Sequence, residues 1–302
     1  TTGKGKLKEL TNYLESFKIN LVLTAHPTQF YPGSVLGIIN DLSFFISKGS
    51  IDEIKKLLLQ LGKTRFFKKK KPTPFDEAMS LIWYLENIFY TSSSRIYNYI
   101  EQNILDGERL KNQLFSFGFW PCGDRDGNPY VTPDISIRTA EKLKYSVQRN
   151  YYRDLRKLKR KITFPGLENR IEFLESLVFN QLFYPNRNKN FSIEFINSEL
   201  KIVFDSLVND HDGLYKNEVL DLIHKVRLFG LHFASLDIRQ DSRIHHKVFN
   251  KIVSHPDILK YTKNLPENYL SLNIEDRCKS LIEMTGDVPP KIFKDELTCQ
   301  TL

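Results

Sequence analysis

Three short stretches of strand-like alternation lie far apart in a chain whose other periodicity is helical, and that spacing restricts how the strands can pair. They are expected near residues 20–26, 117–124 and 231–239. Long helical tracts fill the intervals, so a tight hairpin cannot join one strand to the next. Parallel pairing through helical crossovers is the natural arrangement. The first strand alternates Leu21, Leu23 and Ala25 with Val22, Thr24 and His26. Thr24 and His26 then share one face. Pro27 lacks the N–H a ladder needs, so pairing stops there and leaves His26 at the strand's end.

The helical tracts are legible from their stripes. Residues 6–18 carry an amphipathic pattern, Pro32-Gly33 marks a turn, and a helix is expected over 34–46. Ile54, Leu57, Leu58 and Leu61 form one stripe of a helix over 51–61. Pro74-Phe75-Asp76-Glu77 opens a long helix to about residue 90, with acids in the first turn where the helix dipole favours them. Thr132-Pro133-Asp134 starts another, with Thr as N-cap and Pro in first position. Leu143, Val147, Tyr151, Leu155, Leu158 and Ile162 are its buried stripe. Val219, Leu222, Ile223, Val226 and Phe229 form a further one, capped by Gly230. Residues 186–190 read as an exposed loop, and the breaker-rich tail after His255 as short helices. The expected fold is a predominantly α-helical α/β chain without a separate second domain.

With 41% hydrophobic and 26% charged residues, the 302-residue chain is globular in composition. No apolar run approaches the roughly 18 residues of a membrane span, and no signal-peptide pattern is present. Cys122, Cys278 and Cys299 are widely spread, against a disulfide framework or a zinc site and consistent with a reducing cytoplasm. The net charge of +8 suits an anionic partner. The run Lys68-Lys69-Lys70-Lys71 reads as a solvated loop, and no nucleic-acid-binding signature accompanies it, so neither nucleic acid nor membrane is expected as a partner. The first residue is Thr1 rather than Met, and residues 298–302 show no stop signal. The chain reads as an excerpt of a longer polypeptide.

Two more stretches carry chemistry. In Gly123-Asp124-Arg125-Asp126-Gly127-Asn128-Pro129, glycines flank a charged triplet. Such a run lets backbone approach a ligand while carboxylates orient a guanidinium, though a salt-bridged tight turn would read alike. In the third strand, Ala234, Leu236 and Ile238 alternate with Ser235, Asp237 and Arg239, apolar outward and polar inward. His26 and Arg239 both fall at strand ends, the face where β/α barrels place their active sites.

These stretches together resemble phosphoenolpyruvate carboxylase of the bacterial type. The motif LTAHPT stands at residues 23–28, GDRDGNP at 123–129, and LDIRQ with a following acid and Ser at 236–242. Lys71-Pro72-Thr73-Pro74 with Asp76-Glu77 is similar to the family's KPTP-x-DE segment. Cys122 stands where the family often has Gly, and Phe119 and Pro121 also depart from its pattern. The resemblance implies part of a (β/α)8 barrel with long helical insertions, whose first three strands lie here. It implies a carbon–carbon lyase that carboxylates phosphoenolpyruvate with bicarbonate to oxaloacetate and phosphate, through carboxyphosphate and the pyruvate enolate. His26 matches the catalytic histidine, suited to move a proton near neutrality. Arg239 is both catalytic and substrate-binding, a planar fork for phosphate or carboxylate. Arg125 is a further substrate-binding candidate, and Asp124, Asp126 and Asp237 are site-organising, Asp237 by orienting Arg239.

The resemblance also implies Mg²⁺ or Mn²⁺ bound by residues outside this chain, and a homotetramer for the full-length enzyme. The family's metal carboxylates, mobile loop and further phosphate-binding arginines find no match here. The 302 residues alone are therefore expected to be inactive. The alternative is a degenerate stand-alone relative that binds an anion or a partner protein without catalysis.

Overall fold

A computed structural model of the chain describes residues 4–24, 31–66, 72–110, 112–126, 128–185, 191–295 and 297–298. The expected catalytic residue His26, the Lys68–Lys71 run and the 186–190 loop lie outside the described residues. The fold is mostly helical with small sheets. Helix α1 (Lys4–Ser16) leads into β1 (Ile19–Leu23), and α2 (Gly33–Lys48), α3 (Ile51–Lys63), α4 (Pro74–Tyr84) and α5 (Tyr90–Asn103) precede β2 (Phe115–Phe119). Helices α6 (Pro133–Lys161), α7 (Leu167–Phe183), α8 (Ile193–Asp210) and α9 (Lys216–Phe229) separate β2 from β3 (Ser235–Leu236). The tail holds α10 (Ser242–Val253), α11 (Ile274–Glu283) and an antiparallel pair, β4 (Thr262–Lys263) with β5 (Thr285–Gly286).

Strands β1, β2 and β3 form one parallel sheet in chain order, with Leu21 opposite Phe117 and Gly118 opposite Ser235. One face packs into the helical core. Phe117 and Phe119 are buried there, and Leu21 and Leu23 lean against the same cluster. Phe117 stacks on Phe229 of α9 with ring centroids 5.5 Å apart and meets Phe89 edge-on at 5.3 Å. The period of two then sends Asn20, Val22, Ser116, Gly118 and Ser235 to the other face. That face is polar and open: Val22 is 39% exposed, and Ser116 Oγ donates to Asn20 Oδ1 at 2.9 Å.

The stripe on α6 is buried throughout, from Leu143 to Leu158, and Ile162 just past its end is buried too. So is the α9 stripe, and the Gly230 N–H closes that helix on the Val226 carbonyl at φ 55°. Elsewhere the sequence expectations need correction. The helix opened by Pro74 does not end near residue 90. It runs through a π-helical segment, Leu85–Phe89, directly into α5. Ser92, Ser93 and Ser94 look like breakers, but Ser94 Oγ donates to the Thr91 carbonyl at 3.0 Å and the turn continues. Helix α3 forms with no buried residue: it packs against α2 and leaves Leu58 exposed. Ile238, placed with the outward apolar set, is 56% exposed because the strand ends at Leu236. Ile258, Leu265 and Tyr269 build a small satellite cluster in the tail.

Candidate functional site at the strand ends

The chain leaves β2 through a tight turn and then rejoins the sheet. The Trp120 N–H donates to the Leu23 carbonyl at 3.0 Å, continuing the β1 ladder. The Gly123 and Asp124 N–H groups both turn back onto the Trp120 carbonyl, at 2.9 and 3.0 Å. Beyond that turn, pairing resumes with the residues after β3. Arg239 N–H donates to Gly123 O at 3.0 Å, Arg125 N–H to Arg239 O at 2.9 Å, and Asp237 N–H to Phe119 O at 2.9 Å. The charged triplet and the third motif are thus stitched backbone to backbone.

Glycine is required at the crossing. A Cβ on Gly123 would stand 2.2 Å from the Asp237 carbonyl oxygen, a distance no side chain tolerates. A Cβ on Gly118 would stand 2.8 Å from Asp237 Oδ2, which places that carboxylate over the open face of the sheet beside Val22. Cys122 holds the turn at φ 65°, the left-handed region that favours glycine, and is nonetheless buried. Burial pushes its thiol pKa up, opposed by a hydrogen bond with Thr139 and assisted by the negative charge of Glu77. The Ser136 hydroxyl on α6 donates to the Cys122 carbonyl at 2.5 Å, fixing the turn to the helix. Thr132 is the N-cap of α6 as expected, though its side chain accepts no capping hydrogen bond.

Arg239 projects from this crossing with a side chain 49% exposed. Its guanidinium lies over the Trp120 ring, 4.7 Å from the centroid, and Nη1 reaches Asp124 Oδ2 at 3.4 Å. The carboxylate that meets Arg239 is therefore Asp124, while Asp237 lies against Gly118. Among the described residues the Asp237 carboxylate accepts no hydrogen bond. The Asp126 N–H folds back onto Asp124 Oδ1 at 3.3 Å, and the Asp126 charge acts on Arg243. Arg125 joins the group through its backbone.

A cavity of about 680 Å³ opens beside these residues, lined by Thr73, Glu77, Trp120, Asp124, Asp126 and Asn128 among others. The segment after Pro72 thereby shares a wall with the charged triplet. Within that segment Asp76 has a structural task. Its Oδ2 accepts from Thr73 N at 3.0 Å and Thr73 Oγ1 at 2.7 Å, while the Asp76 N–H returns to Thr73 Oγ1, a closed capping box on α4. Asp241 likewise caps α10, accepting from the Arg243 N–H at 2.8 Å, and its pairing with the Arg243 side chain brings its pKa down to about 2. Sequence reasoning assigned Trp120 and Glu77 no place in the site. An aromatic between a strand and a Pro-x-Gly turn is the signal that points to the first, and the KPTP-x-DE segment is the signal for the second.

Chemically, the arrangement offers a half-exposed guanidinium held by one ring and one long ion pair, hence free to take an anion in a bidentate grip. Among the described residues no group of three or more His, Cys, Asp and Glu side chains is placed to hold a metal ion. None of the described helices is long and apolar enough to cross a membrane.

The model of the phosphoenolpyruvate carboxylase family matches residues 3–178 and 167–292. Among similar proteins, the phosphoenolpyruvate carboxylase of Shewanella halifaxensis is 23% identical over 95% of this chain and 38% of its own length. That of Shewanella loihica is 26% identical over 84% of this chain and 34% of its own. Phosphoenolpyruvate carboxylase 1 of Chlamydomonas reinhardtii is 24% identical over 86% and 35%. The chain spans about a third of the length of the curated relatives it matches. With the family model covering nearly all of the residues that build the sheet and its charged ends, the chain belongs to the phosphoenolpyruvate carboxylase family.

Proposed function

We propose that this chain supplies the anion-holding part of an active site that carboxylates phosphoenolpyruvate with bicarbonate. The observation that carries the reading is Arg239, half exposed at the strand ends and poised by Trp120 and Asp124 beside a cavity. In the reaction, a bicarbonate oxygen attacks phosphorus and the bond from phosphorus to the enol oxygen breaks, giving carboxyphosphate and the pyruvate enolate. Carboxyphosphate then releases phosphate and CO₂, and the enolate carbon captures CO₂ to form oxaloacetate. Arg239 grips a phosphoryl or carboxylate group through these steps, and His26 exchanges a proton with carboxyphosphate. Arg125 adds positive charge, and Asp124, Asp126 and Asp237 organise the site.

In this reading β1, β2 and β3 are the first strands of a (β/α)8 barrel that forms one domain, their open polar face turned to its inside. The divalent cation, Mg²⁺ or Mn²⁺, supplies Lewis-acid stabilisation of the phosphoryl and enolate charge when bound. The described residues do not fit it, so its ligands come from elsewhere. The working enzyme is a cytoplasmic homo-oligomer, and the 302 residues alone turn over no substrate.

The test is a bicarbonate-dependent oxaloacetate assay on the native polypeptide that contains this sequence. Activity in the parent, lost in His26→Asn and in Arg239→Gln, is the expected result. A parent that forms no oxaloacetate, or variants that keep its rate, would overturn the reading.

A further inference from the structure

The second large cavity, about 630 Å³, lies between α5, α6 and α9 and shares no lining residue with the strand-end cavity. Its carboxylates are all matched. Glu86 is held by Arg149 through two contacts, at 3.0 and 3.1 Å. Asp154 accepts from Lys157 and Lys225, each at 2.9 Å, and from the Tyr90 hydroxyl at 3.0 Å. Glu218 takes Lys161 at 2.9 Å, and Asp221 takes Lys225 at 2.6 Å. Two guanidiniums on the walls are left over. Among the described residues neither Arg95 nor Arg153 makes an ion pair, and Arg153 has only a 3.4 Å contact with Asn150 Oδ1.

Asn98 also lines the cleft. Its Oδ1 is shut off from water and has no hydrogen-bond partner among the described residues. The cleft is also floored by the π-helical segment, whose Glu86 carbonyl accepts from Asn150 Nδ2 at 3.1 Å. Such bulges recur at functional sites. Surplus guanidinium charge calls for a ligand with anionic oxygens.

We propose that this cleft binds a small organic anion, with Arg95 and Arg153 gripping its carboxylate or phosphate group. The first turn of α6 lines the strand-end cavity through Ile135, whereas its residues 150–161 line this cleft. At 1.5 Å per residue the two lie roughly 20–40 Å apart along the helix.

The experiment is isothermal titration of the whole chain with inorganic phosphate and, separately, with succinate; the two arms tell a phosphate from a carboxylate preference. Saturable binding should weaken about tenfold or more in Arg95→Gln and in Arg153→Gln, less in Arg95→Lys, and not at all in Lys159→Gln, which faces α7 instead. Arg95 and Arg153 are exposed and outside any ion pair, so their loss leaves the fold intact. Three results overturn the proposal: no saturable binding, equal affinity in every variant, or loss confined to Arg239→Gln. The last would put the anion at the strand ends and leave the carboxylase reading standing.

Discussion

The strand ends and the floor of the helical cleft each hold a cation beside carboxylates and an aromatic ring, yet they are built for opposite ends. Arg239 is 49% exposed, with one 3.4 Å ion pair and a ring on one side. Lys225 is 7% exposed, with two carboxylates at 2.9 and 2.6 Å and the Tyr90 ring 4.5 Å from its ammonium. Around Lys225 both tyrosine hydroxyls are engaged: the Tyr90 hydroxyl donates to Asp154, and the Tyr151 hydroxyl to the Gly230 carbonyl at 2.8 Å. An exposed pair of the first kind is worth about 0–1 kcal/mol. Removing one partner of the second kind strands buried charge at about 3–5 kcal/mol. The loose pair leaves its cation available to a ligand, and the tight one spends its cation on the fold.

The sharpest way to break this contrast is Lys225→Ala, expected to cost about 3 kcal/mol in the urea midpoint. Asp154 supplies the pH signature. Burial alone would raise its pKa, but the charge of Lys225 and hydrogen bonds from Lys157 and Lys225 outweigh that and leave it lowered. A lowered folded pKa stabilises the protein above the ordinary carboxylate value, and that share is lost as pH falls through the folded one. Without Lys225 the burial term gains weight and the Asp154 pKa rises. The acid limb of the variant's stability curve should therefore begin at higher pH. An unshifted acid limb would show that Lys225 does not hold the Asp154 charge.

The next test stays at the strand ends and separates two glycines on the same crossing. Gly123→Ala drives a Cβ into the Asp237 carbonyl, a backbone atom that cannot step aside. A loss of about 2 kcal/mol is expected, with the Arg125 and Arg239 backbone bonds broken. Gly118→Ala meets the Asp237 carboxylate oxygen, the free end of a side chain that can rotate away, so about 0.5 kcal/mol is expected. Chemical denaturation of both variants decides it. Equal losses would mean that the crossing is not held by the Gly123–Asp237 approach.

How much of this was legible in the sequence depends on the range of the interaction. The strand segments, their parallel pairing and the stripes of α6 and α9 follow from periodicity and spacing, which are local. The approach of Gly123 and Arg239 across 116 positions was visible only through the shared motif pattern, since periodicity says nothing about which loops meet. Asp237 was assigned to orient Arg239 because it sits two residues away on the same strand face. The turn at residues 120–123 brings Asp124 to the guanidinium instead, and no local rule gives the shape of that turn. The cleft between α5, α6 and α9 was not visible, because charges at i,i+3 and i,i+4 look the same whether or not another helix closes over them.

The smallest expected effect concerns Cys122, a residue with a Cβ held at a left-handed φ. A left-handed φ costs a residue with a Cβ about 1–2 kcal/mol, while the buried thiol recovers part of that through packing and its hydrogen bond with Thr139. At an ordinary buried position, Gly is less stable than Ala by about 0.5–1 kcal/mol through its freedom in the unfolded chain. At φ 65° the order should close or reverse. Cys122→Ala keeps the strain and loses the sulfur, whereas Cys122→Gly loses the sulfur and the strain together. Thermal unfolding should then place Cys122→Gly at or above Cys122→Ala. If Ala is clearly the more stable, the turn relaxes without cost and the left-handed conformation is not what this position demands. The strand-end site would then owe its shape to Gly123 and the Ser136 clamp alone.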